Sequence, residues 1–556
     1  MRQARGRAFW ASAGAALALV GAGAALLPGA YEEPLRVRAL GRDAPVNRGA
    51  LVPADISSNN SPSLVRSPRD PRRLAIANRI DTPRYSCALH VSSDSGASWT
   101  QTPLPAPRGE TECYAPDAVF DAAGTLYVSF VTLRGGGHVP DAAWMVTSGD
   151  GGRTLSAPRR MLGKLVFQVR LAADPATAGR VYVTWLQGAE VGIYRFSRLG
   201  APIRTMRSDD GARTWSRPVQ TSSPTRARVL APSPAVGPDG ALYVLYLDLG
   251  DDRIDYEGGH GGRGGPPYPG PWRLVLARSR DRGATWGESV VESRIVPTER
   301  VIAFIPPFPA LAVDPAGGRL YAAFHDGRLG DADVWLWTLG RGARRWSAPV
   351  RVNDTVRRDG TAQYLPKLAV APDGRLDVLY YDRRRDRGRN EANEVSLQSS
   401  TDGGERFTGR VVLSSRAFDA QVGFGVERGL PDLGSRLGLL SDDARALAVW
   451  PDTRAGTRVS LKQDIARRVV AFSGPEGLGS AATAVLRAGG GAALVAGLSL
   501  LALVGLRRGP VAAPARRRLQ QLRRRLRDRR SAPDRTAAAH LADRDAADED
   551  GEAEAQ

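Results

Sequence analysis

Residues 279–286 read SRDRGATW, and the same arrangement of Ser, Asp, Gly, Ser or Thr, and a closing aromatic residue recurs along the chain. Further copies, some with a substituted position, are SSDSGASW at 92–99, SGDGGRTL at 148–155, SDDGARTW at 208–215 and STDGGERF at 400–407. A sixth segment, LGRGARRW at 339–346, keeps only the closing Trp346 in register. Successive copies begin 56 to 71 residues apart, which fits a repeating unit of four strands with long loops.

The composition of this eight-residue box predicts a tight turn. Asp and Ser side chains hydrogen-bond the backbone amides of turns, and glycine readily adopts positive φ. The closing aromatic residue can pack between sheets. An acid repeated in the turn of every unit is a folding element before it is a site. We therefore predict structural roles for the box aspartates Asp94, Asp150, Asp210, Asp281 and Asp402.

A second repeat precedes each box and consists of an apolar strand, a turn resembling Pro-Asp-Gly and an alternating aromatic strand. It is clearest in PSPAVGPDGALYVLYLD at 232–248 and LPKLAVAPDGRLDVLYYDRR at 365–384. Alternation with period two around such turns predicts pairs of antiparallel strands. A seventh copy at 435–454 has no box after it, although residues 458–470 offer further strand sequence.

These repeats predict an all-β fold, a β-propeller spanning residues 55–473. Radial repetition of four-stranded units leaves only short, protected sheet edges. We favour seven blades. The alternative is a six-bladed ring, in which the last copy closes the ring with an N-terminal strand such as residues 34–40.

The boxes resemble the Asp-box, or BNR, repeats of the sialidase superfamily, over about residues 55–470. The resemblance implies a propeller fold. It does not select an activity, because the same repeat occurs in sialidases, other glycosidases, sorting receptors and assembly factors.

The composition is that of a folded protein with an unusual choice of basic residue. Apolar residues make up 42% of the 556 and charged residues 24%, which excludes wholesale disorder. The net charge is +19, but only Lys164, Lys367 and Lys462 among the 77 basic residues are lysines. This skew indicates compositional drift, and we do not expect nucleic-acid binding.

The two ends of the chain carry membrane-directed signals. Residues 1–30 predict a signal peptide or an N-terminal anchor, and residues 31–54 a linker or closing strand. After a linker at 474–487, an uncharged run from Ala488 to Leu506 is long enough to cross a bilayer.

The segment after this run fixes the expected orientation. Residues 507–556 are first Arg-rich and then acidic. The positive-inside rule predicts that they form a cytoplasmic tail, basic and then disordered, with the propeller outside. Single-pass insertion in the cell membrane is the expected location, with lipid contacted by residues 488–506 and the basic tail.

The upper rim of the predicted propeller is the expected ligand-binding face, because propeller loops converge there over the central channel. Three rim loops repeat an Asp two positions before an Arg. The arginines could bind the carboxylate of an acidic glycan or peptide. The alternative is that each pair forms salt bridges between neighbouring blades. The pairs are Asp326 with Arg328, Asp382 with Arg384, and Asp452 with Arg454.

The sialidase resemblance implies a catalytic set of three arginines, a Tyr nucleophile paired with Glu, and an acid/base Asp. Tyr364 is the candidate nucleophile, with Asp382 as the acid and Glu391 among its possible partners; Glu299 and Glu427 are the others. A packing or rim role is the alternative for Tyr364.

One sialidase motif is incomplete in this chain. The family carries an Arg-Ile-Pro motif, but residues 78–81 read Asn-Arg-Ile-Asp. The replacement of Pro by Asp81 leaves the role of Arg79 open.

The longest rim insertion, residues 248–272, is rich in Gly, Pro and aromatic residues. Tyr256, Tyr268 and Trp272 could stack on sugar rings; a flexible lid is the alternative. The spacing of its acids and His260 matches no known metal-binding loop, so we assign no metal and no cofactor.

In an exported protein, Cys87 and Cys113 are expected to form a disulfide. The leading functional hypothesis is a membrane-anchored, extracytoplasmic sialidase-like propeller that binds a cell-surface glycan or protein through its upper face. The alternatives are an exo-glycosidase, specifically a divergent exo-α-sialidase with a Tyr nucleophile, and an envelope assembly or receptor propeller.

Overall fold

The computed structural model describes residues 35–47, 55–189, 201–252, 267–298, 308–423 and 432–473, together with Val495, Leu498 and Ser499 in helical conformation. All of its strands belong to one compact unit, Pro34–Pro475. They pair into seven antiparallel sheets, so the described part of the chain forms a seven-bladed β-propeller. The favoured blade number is confirmed.

The strands follow one another in chain order, with each blade built from consecutive strands that run from the centre outward. The first strand is β1 (Arg36–Pro45). Blade 1 contains β2 (Asn59–Arg66), β3 (Leu74–Ile80), β4 (Ser86–Ser92) and β5 (Thr100–Thr102). Blade 2 contains β6 (Cys113–Phe120), β7 (Leu126–Arg134), β8 (Val139–Ser148) and β9 (Arg159–Leu162). Blade 3 contains β10 (Val166–Ala173), β11 (Val181–Gln187), β12 (Ile203–Ser208) and β13 (Val219–Gln220). Blade 4 contains β14 (Val229–Val236), β15 (Leu242–Asp248), β16 (Trp272–Ser279) and β17 (Gly287–Ile295).

The remaining blades follow the same plan. Blade 5 contains β18 (Ala310–Val313), β19 (Leu320–Asp326), β20 (Asp333–Leu339) and β21 (Val350–Arg351). Blade 6 contains β22 (Gln363–Val370), β23 (Leu376–Asp382), β24 (Ala392–Ser400) and β25 (Val411–Val412), with β26 (Phe418–Asp419) paired to β24. Blade 7 contains β27 (Gly438–Ser441), β28 (Arg445–Asp452) and β29 (Asp464–Ser473).

The N-terminal strand closes the ring. β1 pairs antiparallel with β29, with Val37 opposite Phe472, and so becomes the outermost strand of blade 7. The sequence predicts a linker or closing strand in residues 31–54 and uses a strand at 34–40 to close the six-bladed alternative. The structure combines seven blades with an N-terminal closing strand, because the seventh repeat supplies three strands and lacks a fourth.

The boxes form the turns between the third and fourth strands of their blades. In the first box, the Ser92 hydroxyl donates to Asp94 at 2.7 Å and accepts from the Gly96 amide at 2.9 Å. Asp94 also accepts from the Ser98 amide at 2.9 Å. The other four box aspartates likewise accept from a box serine, Ser148, Ser208, Ser279 or Ser400. Each carboxylate therefore holds its own turn together.

The hydrophobic core lies between the blades. One buried cluster joins Leu89 of blade 1 to Val128 and Val146 of blade 2, and the other large clusters also span neighbouring blades. The second strand of a blade is covered by neighbouring blades on both of its faces. Every residue of β15 (LYVLYLD) is therefore buried, and the strand shows no alternation of apolar and polar residues. Full burial of one such aliphatic side chain contributes about 1.5–3 kcal/mol.

The terminal segments predicted to enter the membrane, 1–30 and 488–506, lie outside the described residues except for the three helical positions. Among the residues that the structure describes, no helix has the length and apolar character needed to cross a bilayer.

Candidate functional site

A cavity of about 270 Å³ occupies the centre of the ring. Residues of the innermost strand of every blade line it, from Ser63 in blade 1 to Arg436, just before β27, in blade 7. Ligands usually bind to proteins in cavities or clefts of this kind. We call it the channel.

A repeated irregularity of the innermost strands shapes the channel. In β2, β6, β10, β14 and β22 the pairing register shifts by a bulge. Inside each bulge one residue has a left-handed φ of 48° to 59°: Ser61, Ala115, Gln168, Ala231 and Leu365. A bulge re-aims the side chains that follow it. Two residues later in each strand come channel-lining residues, Ser63, Asp117, Arg170, Ser233 and Lys367.

The channel holds three cations and one carboxylate, Arg170, Lys367, Arg436 and Asp117, which we call the channel cluster. The Asp117 carboxylate is 3.3 Å from Arg170 Nε and 3.2 Å from Arg436 Nη1. It also accepts hydrogen bonds from the Ser63 hydroxyl at 2.5 Å and the Leu171 amide at 2.8 Å. Burial opposes ionisation of Asp117, but these partners hold its pKa below the ordinary value.

The cations of the channel cluster are incompletely paired. Arg170 Nη1 is buried and has no hydrogen-bond partner among the described residues. Lys367 likewise makes no hydrogen bond or ion pair in the described part of the chain. Burial, together with Arg170 and Arg436, lowers the pKa of Lys367 to about 8. Burial and Arg170 also lower the pKa of Arg436, to about 9. The cluster therefore has an excess of positive charge that suits an anion.

A second group, the mouth cluster, lies at the upper ends of blades 1, 2 and 7. Arg79 Nε is 2.7 Å from Asp81, and its Nη2 donates to Asp432 at 2.5 Å. Arg79 Nη1 donates to the Tyr114 hydroxyl at 2.8 Å, and the guanidinium carbon lies 4.8 Å from the centre of the Tyr114 ring. Arg79 and Tyr114 also influence the pKa of Arg436, so the mouth and channel clusters are electrostatically continuous.

The two acids of the mouth cluster compete for one arginine. Burial raises the pKa of Asp81 to about 6; the nearby Asp432 adds to the rise, and Arg79 opposes it. Asn60 donates to the Asp81 carboxylate at 2.8 Å. Burial therefore favours the protonated form of Asp81 more than it would at an exposed aspartate, while the ion pair with Arg79 limits the rise of the pKa.

The three arginines singled out from the sequence lie elsewhere on the rim and are paired with acids. Arg328 contacts Asp326 at 2.7 Å and Glu292 of blade 4 at 3.0 Å. Arg384 contacts Asp382 at 2.7 Å and Asp354, which follows blade 5, at 2.6 Å.

Arg454 follows the same plan, since it contacts Asp452 and Asp43, each at 2.5 Å, and donates to Ser415 at 2.7 Å. The contacts of all three arginines match the structural alternative, in which the pairs join strands and neighbouring blades.

Tyr364 and Asp382 are on neighbouring strands but face opposite sides of blade 6. Tyr364 pairs with Tyr381, whereas Asp382 pairs with Gln363, and successive residues of a strand point to opposite faces. The Tyr364 hydroxyl is buried and bonds Asn393 at 2.9 Å and Arg383 at 2.8 Å; burial raises its pKa. Glu391, just before β24, accepts no hydrogen bond from Tyr364. The fold therefore does not bring the three predicted catalytic residues together.

The remaining predicted ligand-binding residues fall in or beside the long insertion. Trp272 is buried and donates to Asp252 at 2.9 Å, so its ring is not available for stacking. Tyr268 packs against the core of blades 4 and 5. Tyr256, Glu299 and Glu427 lie outside the described residues. In the described segments, no group of three His, Cys, Asp or Glu residues is placed to hold a metal ion.

The structure joins Cys87 and Cys113 in a disulfide, with Cα atoms 5.5 Å apart. Cys87 is the strand partner of Arg79, and Cys113 precedes Tyr114. The bridge therefore ties β6, which carries Tyr114, to β4, the strand that pairs with the strand of Arg79.

Sequence analysis did not single out the channel residues, although the sequence carries a signal for them. Five innermost strands have a proline directly before the channel-facing position: Pro62, Pro116, Pro232, Pro309 and Pro366. The residues after these prolines, aligned across the repeats, would have pointed to Asp117 and Lys367.

Comparisons with known proteins found only remote structural similarity. No family model matches the sequence, and no curated protein matches it. Among solved structures, Hadza microbial sialidase Hz136 is 16% identical, with 71% of this chain and 73% of that chain covered and a TM-score of 0.40. The α-L-arabinanase of Penicillium chrysogenum is also 16% identical, with coverage of 66% and 98% and a TM-score of 0.42. The endosialidase of phage phi92 is 10% identical, with coverage of 80% and 70% and a TM-score of 0.42. The assignment of the fold rests on the strand pairing itself.

Proposed function

We propose that this protein is a binding propeller that takes an acidic glycan or protein ligand through its upper face, with a carboxylate of the ligand in the channel. The observation that carries the proposal is the channel cluster, in which three cations face one carboxylate. Arg170 has a buried Nη1 without a hydrogen-bond partner among the described residues, and Lys367 lines the same cavity. A ligand carboxylate in the cavity would pair with these cations. Charge-assisted hydrogen bonds of this kind are about twice as strong as neutral ones.

The mouth cluster supports the same function. Arg79 is held by two acids and Tyr114, so its position is fixed before a ligand arrives. A preorganised site loses less free energy on binding than a mobile one.

We also propose that the boxes are Asp-box repeats of the sialidase superfamily. What supports this assignment is the shared turn, in which a serine hydroxyl and a backbone amide converge on one aspartate in five blades. The assignment concerns ancestry and fold, and it selects no activity.

Membrane anchoring is part of the proposal and rests on the sequence alone. The uncharged run at 488–506 and the Arg-rich residues after it predict, by the positive-inside rule, a propeller outside and a C-terminus in the cytoplasm. Protease treatment of intact cells should remove the propeller and leave the C-terminal tail protected. Protection of the propeller would contradict the orientation.

The binding proposal is tested with the full-length chain and two acidic sugars, D-galacturonate and N-acetylneuraminate, with galactose as the neutral control. We expect both acids to bind and galactose not to bind. Arg170→Ala and Lys367→Met should each weaken binding about tenfold or more, whereas Arg217→Ala, at an exposed position outside the channel, should not. Equal binding of galactose, or unchanged binding by both channel variants, would reject the proposal.

A second candidate function is glycoside hydrolysis, and the observation that favours it is Asp81. A carboxyl group with a pKa near 6 can act as a general acid at near-neutral pH. Tyr114, which is bound to the same arginine, would be the nearby hydroxyl.

Fluorogenic sialosides are the test: hydrolysis by the wild-type chain that Asp81→Asn removes would establish this function. The Tyr364→Phe variant examines the nucleophile suggested by the sequence. If the wild-type chain hydrolyses none of these sialosides, hydrolysis of sialosides is rejected.

A further inference from the structure

A second cavity, of about 500 Å³, lies between blades 2 and 3 at the face that carries the box turns. It is separate from the channel, because no residue of the described chain lines both cavities. Ligand sites commonly have volumes of about 300–1,000 Å³, so this cavity has room for a side chain of another molecule. We call it the inter-blade groove; its lining includes Asp121, Thr125, Tyr127 and Thr147 of blade 2 and Gly211 of blade 3.

Blade 2 lacks an arginine that other blades possess. In each of blades 1, 3, 4, 5 and 6, an arginine stands directly before the second strand or directly before the first residue of the box. Blade 2 has threonine at both positions, Thr125 and Thr147, and both threonines line the groove. The groove is thus open where shorter side chains replace these arginines. The arginines are Arg73, Arg180, Arg319 and Arg375 before the second strands, and Arg207 and Arg278 before the boxes.

Two of these arginines show which backbone group holds a guanidinium at such a position. Arg207 donates to the carbonyl of Arg282 at 2.8 Å, and Arg319 donates to the carbonyl of Gly403 at 3.3 Å. Both acceptors are the fourth residue of the box in the next blade. Gly211 is the fourth residue of the blade 3 box, and no arginine among the described residues donates to its carbonyl. This carbonyl is therefore a free acceptor site for a guanidinium in the groove.

A tyrosine of the groove has a counterpart that already contacts an arginine. Tyr127 of blade 2 and Tyr243 of blade 4 both stand second in the second strand of their blade. The guanidinium carbon of Arg278 lies 5.3 Å from the centre of the Tyr243 ring, within cation–π distance. In blade 2, Thr147 takes the place of Arg278. Tyr127 can therefore give an incoming guanidinium the contact that Tyr243 gives to Arg278.

The acid in the turn between the first and second strands has no cationic partner in blade 2. Asp121 accepts hydrogen bonds from three backbone amides and from the Tyr127 hydroxyl at 3.1 Å, all of them neutral donors. Its carboxylate forms no ion pair in the described part of the chain, so its charge is uncompensated and favours a cation in the groove. The turn acid is paired in blades 1, 3 and 6, where Asp70 is 3.3 Å from Arg73, Asp174 is 3.1 Å from Arg180 and Asp373 is 3.6 Å from Arg375.

The other charged residues of the groove are engaged elsewhere or exposed. Asp209 is paired with two arginines, each at 2.7 Å. Asp210 is held inside its own box turn by neutral donors. Arg159 and Arg213 also line the groove, but both are exposed and neither forms an ion pair with Asp121. Asp121 is therefore the buried charge that an incoming group meets.

We infer that the inter-blade groove binds an arginine side chain of a partner protein, in the position that the chain's own arginines take in other blades. The guanidinium would donate to the Gly211 carbonyl, pack against Tyr127 and offset the charge of Asp121. Arginine suits these groups better than lysine, because a planar guanidinium both stacks on rings and presents its donors in a fixed fork. A partner protein is the expected source, since the groove opens beside exposed residues of the blade 3 box and the backbone that carries the arginine can remain outside.

The test measures binding of the tripeptide acetyl-Gly-Arg-Gly-amide to the full-length chain by calorimetry, with citrulline in place of arginine as the uncharged control. We expect the arginine peptide to bind about tenfold more tightly, because citrulline cannot make charge-assisted hydrogen bonds or cation–π contacts. Thr125→Arg and Thr147→Arg each restore an arginine found in other blades, so each should fill the groove and weaken binding of the arginine peptide. Ala157→Arg is the matched control and should bind like the wild type, because it adds the same charge at an exposed position that does not line the groove.

Thermal unfolding checks that the variants fold, and all three should bind galacturonate like the wild type because none of the changes is in the channel. Equal binding of the arginine and citrulline peptides would overturn the inference. Unchanged binding of the arginine peptide by the two filled variants would overturn it as well. Tighter binding of free L-arginine than of the tripeptide would identify a site for a small molecule and would reject the assignment to a partner protein.

Discussion

Asp117 of blade 2 and Arg436 of blade 7 meet across the channel, with Oδ1 3.2 Å from Nη1 although the residues are 319 positions apart. Arg436 also donates to the backbone carbonyls of Ser61 at 3.0 Å and Pro116 at 2.8 Å. This arginine therefore joins the last blade of the ring to the first two. The same residue contributes positive charge to the channel, so ring closure and the proposed ligand site share one side chain.

Removal of the Asp117 carboxylate should destabilise the propeller strongly. Asp117→Ala leaves Arg170 and Arg436 without their shared counter-charge, and breaking a buried pair in this way costs about 3–5 kcal/mol. Asp117→Asn keeps the shape and part of the hydrogen bonding, so we expect a smaller loss. Urea unfolding followed by tryptophan fluorescence measures both. An Asp117→Asn variant as stable as the wild type would show that the charge is not the reason.

Lys367 should make ligand binding depend on pH in a defined window. The cationic form binds a carboxylate, and the pKa of Lys367 is lowered to about 8. Affinity for galacturonate should therefore be full below pH 7 and should fall as the pH rises through 8 to 9. Lys367→Arg should make the affinity fall less over this range, because a guanidinium holds its proton to higher pH than an ammonium group at the same place. A wild-type affinity that does not change between pH 7 and 9 would contradict this role.

The same lysine should lower the stability of the unliganded protein. A pKa lowered on folding means that the unfolded chain binds more protons, so stability rises as the pH increases from about 8 toward the ordinary lysine value. Lys367→Met should stabilise the protein at pH 7 by roughly 1 kcal/mol, after allowance for screening in the open channel. Thermal unfolding at pH 7 and pH 10 checks this. The gain of the variant over the wild type should be smaller at pH 10, and an equal gain would point to packing.

The box carboxylates should make the turns sensitive to acid. Burial opposes the ionisation of Asp94, but hydrogen bonds from Ser98 and Ser92 lower its pKa to about 2. Its contribution is present above the unfolded pKa of about 4 and is lost as the pH falls through 2. Asp94→Ala should cost about 1 kcal/mol at pH 7, the net value of a typical hydrogen-bonded turn.

Ser93→Ala, at the exposed neighbouring position, is the matched control for this turn and should unfold like the wild type. The difference between Asp94→Ala and the control should shrink when unfolding is measured at pH 2. A difference that is independent of pH would show that the carboxylate charge does not hold the turn.

The Cys87–Cys113 disulfide should affect both stability and the mouth cluster. It closes a loop across a sequence separation of 26 residues, for which chain entropy predicts about 3 kcal/mol. The double variant Cys87→Ser, Cys113→Ser should lose this stability. It should also bind galacturonate more weakly than the wild type, because β6, which carries Tyr114, is no longer tied to β4, the strand that pairs with the strand of Arg79. Retained stability and affinity would leave the bridge without either role.

The sequence predicted the propeller because the fold is built from local repeats. Turn chemistry in residues 279–286 and alternation in residues 365–384 both arise from neighbours in the chain, so each blade is encoded within its own segment. The blade number also followed from the repeats. The repeats left open whether an N-terminal strand closes the ring, because the residues that pair β1 with β29 lie at opposite ends of the propeller sequence.

The candidate site, unlike the blades, could not be predicted from local sequence. Asp382 and Arg384 form a conspicuous motif, but the fold pairs Arg384 with Asp354 of the previous blade. Arg170, Lys367 and Arg436 are single residues in three separate repeats, and only ring closure brings them to one channel. The sequence by itself therefore determined the blades, since hydrogen bonding and burial within a blade are local. Only the tertiary structure decided which charges meet, because electrostatic contact depends on distance in space and not on separation along the chain.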